Sequence, residues 1–156
     1  MTRLSVNNQI YELEIKPHQT LAEVLRKQLG LQGVRVSCGE GECGSCTVLI
    51  DGQPATSCLM LAMQAEGKEI TTIEGMGTVD DLHPIQEAFI EEQGFQCGFC
   101  TPGIILSTKA FLEKNPEPTS AETATALSGH VCRCGAYVHI AKSVQSAAKK
   151  MKGDKP

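Results

Sequence analysis

Cys38-Gly39-Glu40-Gly41-Glu42-Cys43-Gly44-Ser45-Cys46 brings three thiols within nine residues, and with Cys58 the spacing becomes Cys-x4-Cys-x2-Cys-x11-Cys. That is the plant-type ligand run of a [2Fe–2S] cluster. The loop must curl tightly to aim its thiols at one centre. Gly39, Gly41 and Gly44 permit the positive φ angles and the close approach of N–H groups to sulfur that such a curl requires. A four-cysteine zinc site favours two close Cys-x2–4-Cys knuckles, which this run does not form. Cys38, Cys43, Cys46 and Cys58 are therefore expected to be metal ligands, one pair on each iron.

Working outward, the residues around this loop alternate as strands do. Leu4-Ser5-Val6 and Tyr11-Glu12-Leu13-Glu14-Ile15 flank Asn7-Asn8 and predict a β-hairpin. Thr20 caps a helical run with Leu21, Val24, Leu25 and Leu29 on one face, and Gly30 stops it. Thr47-Val48-Leu49-Ile50 predicts a strand, Asp51-Gly52 a tight turn and Glu69 to Ile73 a further strand. The first half is expected to be an α+β unit, with the divide near Gly75–Asp81. Beyond it the periodicity turns helical. His83-Pro84 opens a run from Ile85 to Gln93, and Pro102 lies near the start of the apolar run Ile104 to Leu112. Thr119 or Ser120 caps Ala121 to Leu127, and Val138 to Met151 forms the last helix.

The helical half holds the other four cysteines, Cys97-x2-Cys100 and Cys132-x-Cys134. By spacing alone this set suits zinc as well as a second cluster. Thiols one residue apart point about 200° apart on a helix, so Cys132 and Cys134 belong to a turn leading into the last helix. Helix N-termini with free N–H groups suit an anionic centre there.

Bulk properties narrow the function. Of 156 residues, 14 are Lys or Arg and 18 Asp or Glu, a net charge of −4, with two Tyr, four Phe and no Trp. A nucleic-acid binder would want basic patches and stacking rings. No stretch approaches the length of a transmembrane helix, so no direct membrane insertion is expected, and Met1 to Ile15 lacks the apolar core of an export signal. Synthesis and assembly are expected in a reducing cytoplasm, where thiols bind metal rather than form disulfides. The periplasm would be reached only in company with a signal-bearing partner. Pieces of about 75 residues bury little core, so metal-assisted folding fits the size.

Gln96-Cys97-Gly98-Phe99-Cys100-Thr101-Pro102-Gly103, Cys132-Arg133-Cys134 and Gly41-Glu42-Cys43-Gly44-Ser45-Cys46-Thr47, together with Thr72-Ile73-Glu74-Gly75, resemble the iron–sulfur component of the xanthine oxidase family of molybdenum hydroxylases. The resemblance runs from Leu4 to about Ala148. It implies an N-terminal β-grasp plant-type ferredoxin domain over 1–76 and a C-terminal four-helix-bundle [2Fe–2S] domain over 77–156, and so two [2Fe–2S] clusters. It assigns Cys97, Cys100, Cys132 and Cys134 to the second. It further implies a large partner subunit carrying a molybdopterin cofactor, which Gln96 and Cys134 would contact through hydrogen bonds.

The chain would relay electrons from that site to an FAD-binding subunit or a c-type cytochrome. Many family members read Cys-Arg-Cys-Thr-Gly after the second set. Cys134-Gly135-Ala136-Tyr137 departs from this and resembles members with a cytochrome partner, such as isoquinoline oxidoreductases and some bacterial aldehyde dehydrogenases. No Ser/His/Asp or paired-carboxylate constellation suggests substrate chemistry in this chain, so catalytic residues are expected to be absent. A free-standing two-cluster electron carrier is the competing function. His18, His83, His130 and His139 are expected at surfaces or caps. Arg133 either balances cluster charge or lies outward, and Lys149-Lys150-Met151-Lys152 reads as a solvated tail.

Overall fold

The computed structural model describes residues 1–153; the end of the expected 77–156 unit lies outside the described residues. The first half is a mixed sheet in the order β2-β1-β5-β3-β4. β1 (Thr2–Val6) and β2 (Gln9–Leu13) form the expected hairpin, pairing Val6 with Gln9 and Thr2 with Leu13. Asn7 and Asn8 turn it with φ of 52° and 62°, the positive pair that matches strand twist. The second strand begins and ends two residues earlier than Tyr11 to Ile15. β5 (Glu69–Thr71) lies parallel to β1 and antiparallel to β3 (Thr47–Ile50). Residues 73–75 turn into a short 3₁₀ helix rather than continuing the strand to Ile73.

β4 (Gln53–Thr56), unpredicted from sequence, pairs with β3 at the sheet edge. Pro54 within it disguises the strand, since proline lacks a ladder donor and is tolerated only at such an edge. α1 (Leu21–Lys27) is opened by a Thr20–Glu23 capping box and packs Leu21, Val24 and Leu25 against Leu4, Val6, Val48 and Ile70.

The second half packs α2 (Pro84–Glu91), α3 (Thr101–Lys114), α4 (Ser120–Ala126) and α5 (Tyr137–Gly153) around Ile85, Phe89, Ile104, Leu112, Ile140 and Val144. Thr119, rather than Ser120, caps α4 in a box with Glu122. Both halves share one seam. β3 is buried at all four positions: Val48 and Ile50 face the α1 core, while Leu49 meets Leu106 and Ala110 of α3. α3 is correspondingly buried almost all round, as a helix between two layers must be. The connecting residues are tied back as well. Asn7 exchanges hydrogen bonds with Thr72 through Thr72 N–H to Oδ1 and Nδ2 to Oγ1, both 2.9 Å, and Gly33 N–H donates to Glu74 Oε1 at 2.7 Å.

Candidate metal centres

All eight cysteines are free thiols, gathered into two sets. In the first, the loop between α1 and β3 carries Gly39, Gly41 and Gly44 at φ of 69°, 80° and 71°, the left-handed turns its sequence demands. The resulting curl brings backbone N–H groups onto sulfur, and Glu40 N–H donates to Cys38 Sγ at 3.4 Å. That bond, with further N–H groups from Cys43 and Glu42, lowers the Cys38 thiol to about 6, a thiolate at neutral pH. The Cys43 thiol lies beside it, and the Cys46 thiol lies beside Cys58. Burial, reinforced by Cys46, pushes Cys58 up to about 11. The loop is fastened at its far end. Thr47 donates to Gly44 O through N–H at 3.1 Å and Oγ1 at 2.7 Å, and Ser57 Oγ donates to Cys46 O at 2.6 Å.

The second set pairs in the same way. Cys97 lies beside Cys134, and Cys100 beside Cys132. Cys100 is the N-cap residue of α3, and Cys132 and Cys134 stand in the turn before α5, as their spacing required. Burial and the adjoining Cys132 push the Cys100 thiol up to about 12. At Cys132 burial acts to raise the thiol, but the N–H of Ala136, the Cys100 thiol and the N–H groups of Cys134 and Gly135 outweigh it and lower it. The Phe99 N–H, followed by the Cys134 thiol, lowers Cys97. Cys132 N–H donates to the Tyr137 hydroxyl oxygen at 2.9 Å, which locks the turn.

The eight donors fit two binuclear clusters. In each set the thiols pair two and two, Cys38 with Cys43 and Cys46 with Cys58 in the first, Cys97 with Cys134 and Cys100 with Cys132 in the second. Thiols whose protons are held by burial at Cys58 and Cys100 become thiolates only when a metal takes their place.

Gln96 is exposed, one residue from exposed Cys97. Because Cys97 lies beside Cys134, the fold brings Gln96 and Cys134 to the same end of the second set, and Arg133 there also faces outward. His18 is exposed, His83 caps α2 by accepting from Ile85 N–H at 3.2 Å, and His139 Nδ1 lies 3.0 Å from Glu92 O. His130 departs from the surface or capping role expected of it: it is buried between the halves, with Nε2 2.7 Å from Ser107 Oγ. The basic run is not simply a solvated tail either. Lys150 reaches Glu91 at 2.9 Å and Glu87 at 3.4 Å across α2, and Lys152 pairs with Glu117.

Sequence reasoning missed the roles of Ser57 and Ser107, whose partners come from other segments, and of Tyr137, which was noted only as part of a motif and turns out to bond Cys132 five residues before it. It also missed Arg35, whose guanidinium carbon sits 5.6 Å from the ring centroid of Phe99, the residue just before Cys100 in the chain, and so links the two halves.

The chain matches two protein families. Residues 4–72 match the 2Fe-2S iron-sulfur cluster binding domain, and residues 72–145 match the [2Fe-2S] binding domain. It is 43% identical to a probable xanthine dehydrogenase subunit of Bacillus subtilis, over 97% of this chain and 87% of that protein. The nicotinate dehydrogenase small FeS subunit of Eubacterium barkeri is 42% identical over 94% of this chain and 94% of its own length. Among solved structures, quinoline 2-oxidoreductase from Pseudomonas putida 86 superimposes with a TM-score of 0.93 at 36% identity, covering 99% of this chain and 97% of that one. The aldehyde oxidoreductase of Desulfovibrio desulfuricans gives 0.94 at 41% identity; this chain spans 17% of that longer one.

Proposed function

The chain belongs to the family of iron–sulfur subunits of molybdenum hydroxylases, and we propose that it holds one [2Fe–2S] cluster in each half and relays electrons singly out of a large molybdopterin-bearing subunit. Cys38, Cys43, Cys46 and Cys58 hold the first cluster and Cys97, Cys100, Cys132 and Cys134 the second, in units meeting between Gly75 and Asp81. Each cluster, when bound, supplies a one-electron redox centre. The residues of the chain do the rest: they bind it as thiolates, direct N–H groups at the sulfurs and exclude water from the inward pair.

The single observation that carries the reading is the asymmetry of the second set. Cys100 and Cys132 are buried and Cys97 and Cys134 exposed, so this site opens outward on one side and faces the first half on the other. Gln96 stands at the open side. Its amide can both donate and accept, which suits hydrogen bonding to a pterin ring. The apolar rings of Phe95 and Phe99 are partly exposed nearby in sequence, which supports a covering large subunit. The final acceptor is an FAD subunit or a c-type cytochrome; Cys134-Gly135-Ala136-Tyr137 supports the cytochrome. Assembly takes place in the cytoplasm. Among the described residues no helix is long and apolar enough to cross a membrane.

Metal analysis tests the cluster count, with about four irons and four acid-labile sulfides per chain expected and two distinct reduced-state EPR signals. One equivalent of zinc, or only two irons in carefully handled protein, removes the second cluster. A Gln96→Ala variant should keep both clusters and assemble, yet slow the rate at which substrate reduces the second cluster in stopped flow. An unchanged rate defeats the Gln96 assignment. Activity of the chain alone toward an aldehyde or an N-heteroaromatic compound would defeat the relay.

A further inference from the structure

His130 is a buried ring that the relay does not use. It lies two residues before Cys132 at 9% exposure; Nε2 meets Ser107 Oγ at 2.7 Å, and Nδ1 is buried without a hydrogen-bond partner. Nδ1 faces the other half of the molecule. A β-carbon on Gly44 would stand 2.5 Å from it and 2.6 Å from Gly129 O. The next residue, Val131, donates its N–H to Cys43 O at 3.0 Å. From the α3 side, Gly103 comes so close that a β-carbon on it would stand 2.5 Å from Gly44 O. The stretch Cys43-Gly44-Ser45 is thus gripped between the segment that leads into Cys132 and the one that leaves Cys100.

An unpartnered buried nitrogen costs free energy and needs compensation from its surroundings. The tautomer in which the Ser107 hydroxyl donates to Nε2 leaves the ring N–H on Nδ1, directed at a loop whose thiolates are anionic when they hold metal. A donor dipole beside an iron–sulfur centre favours its more negative, reduced form. On the reading that this loop carries a [2Fe–2S] cluster, we propose that His130 is a positioning residue for the first site: through Nδ1 it seats the Cys43–Cys46 loop against the second site and raises the reduction potential of the first cluster.

Two substitutions separate the two ring nitrogens, because the Asn amide sits where Nδ1 does and the Gln amide reaches where Nε2 does. Potentiometric EPR titration of the assembled complex reads the result. His130→Gln and His130→Ala should lower the midpoint potential of the first cluster by more than that of the second, and His130→Asn should leave it near the wild-type value. An unmoved potential in the Gln variant, an Asn variant shifted as far as the Gln one, or equal shifts of both clusters would overturn the proposal. The Asn–Gln contrast decides even where His130→Ala fails to fold. A wild-type complex with no signal from the first site overturns the cluster reading and this proposal together, whereas two clusters insensitive to residue 130 overturn the proposal alone.

Discussion

In the first cysteine site two thiols are buried and two half-buried; in the second, Cys100 and Cys132 are buried while Cys97 and Cys134 are exposed. The two sites reach four thiols by different means. The first bends a glycine-rich loop through three left-handed residues and fastens it with Thr47 and Ser57. The second uses helix ends, with Cys100 at the N-cap of α3 and the Cys132–Cys134 turn ahead of α5. A loop curled on glycine can be wrapped inside a fold, because its own backbone supplies the donors a buried anion needs. Helix termini already have free N–H groups and can stay at the surface, where a partner is able to reach the ligands. Gly44 marks the point where the two designs touch.

The sharpest way to break the comparison is to remove one buried ligand from each site. Cys46→Ser should abolish the first EPR signal and halve the iron while the second signal persists, and Cys100→Ser should do the reverse. Loss of both signals from either change would show that the sites are not independent.

Next in size is the contrast between two left-handed glycines. Gly44→Ala combines a φ of 71° with a β-carbon driven to 2.5 Å from His130 Nδ1 and 2.6 Å from Gly129 O. It should cost about 2–4 kcal/mol in denaturant unfolding of the holo-chain. Gly135→Ala, at φ of 73° but with nothing within 4 Å, should cost only about 1 kcal/mol of backbone strain. Equal losses would mean that the first loop is no more tightly enclosed than the second.

A smaller effect, about 1 kcal/mol each, is expected from Thr20→Ala in the first half and Thr119→Ala in the second. Each removes a capping box that satisfies helix N-terminal donors. Thermal unfolding measures both.

The smallest is a pH dependence confined to the helical half. Burial, with the nearby Lys109 charge, lowers the pKa of His83 below its ordinary 6.5, while Glu113 opposes this. The fold therefore prefers the neutral ring, whose Nδ1 caps α2. Its contribution is complete above pH 6.5 and is lost as the pH falls from there through the lower folded pKa, because the unfolded chain takes up the proton first. The melting temperature should drop on acidification across that window, with buried His130, whose pKa burial also lowers, contributing in the same direction, and His83→Asn, which keeps a capping acceptor, should shrink the drop. An identical pH profile in the variant would remove His83 from the account.

How much of this could be read from the chain follows from the range of each interaction. The cysteine spacings, the Asn7-Asn8 turn, the Thr20 cap and the four helical runs are local, and local preferences brought those elements within a few residues of their observed ends. β4 was hidden because Pro54 argues against a strand unless an edge position is known, and the sheet order decides the edge. Lys150 looked like a free charge because Glu87 and Glu91 lie some sixty positions away in the chain.

By itself the sequence determined that eight thiols divide four and four, that a sheet-forming half precedes a helical one, and that Gln96 adjoins Cys97. Ligand spacing and hydrophobic period need nothing beyond neighbouring residues to be expressed. Only the tertiary structure decided which thiols pair, which pair faces outward, and that β3 is buried on both faces by packing of Leu49 against α3. It alone set His130 against Gly44. These are contacts between segments that approach only when the two halves close on each other, and no local preference encodes the distance between them.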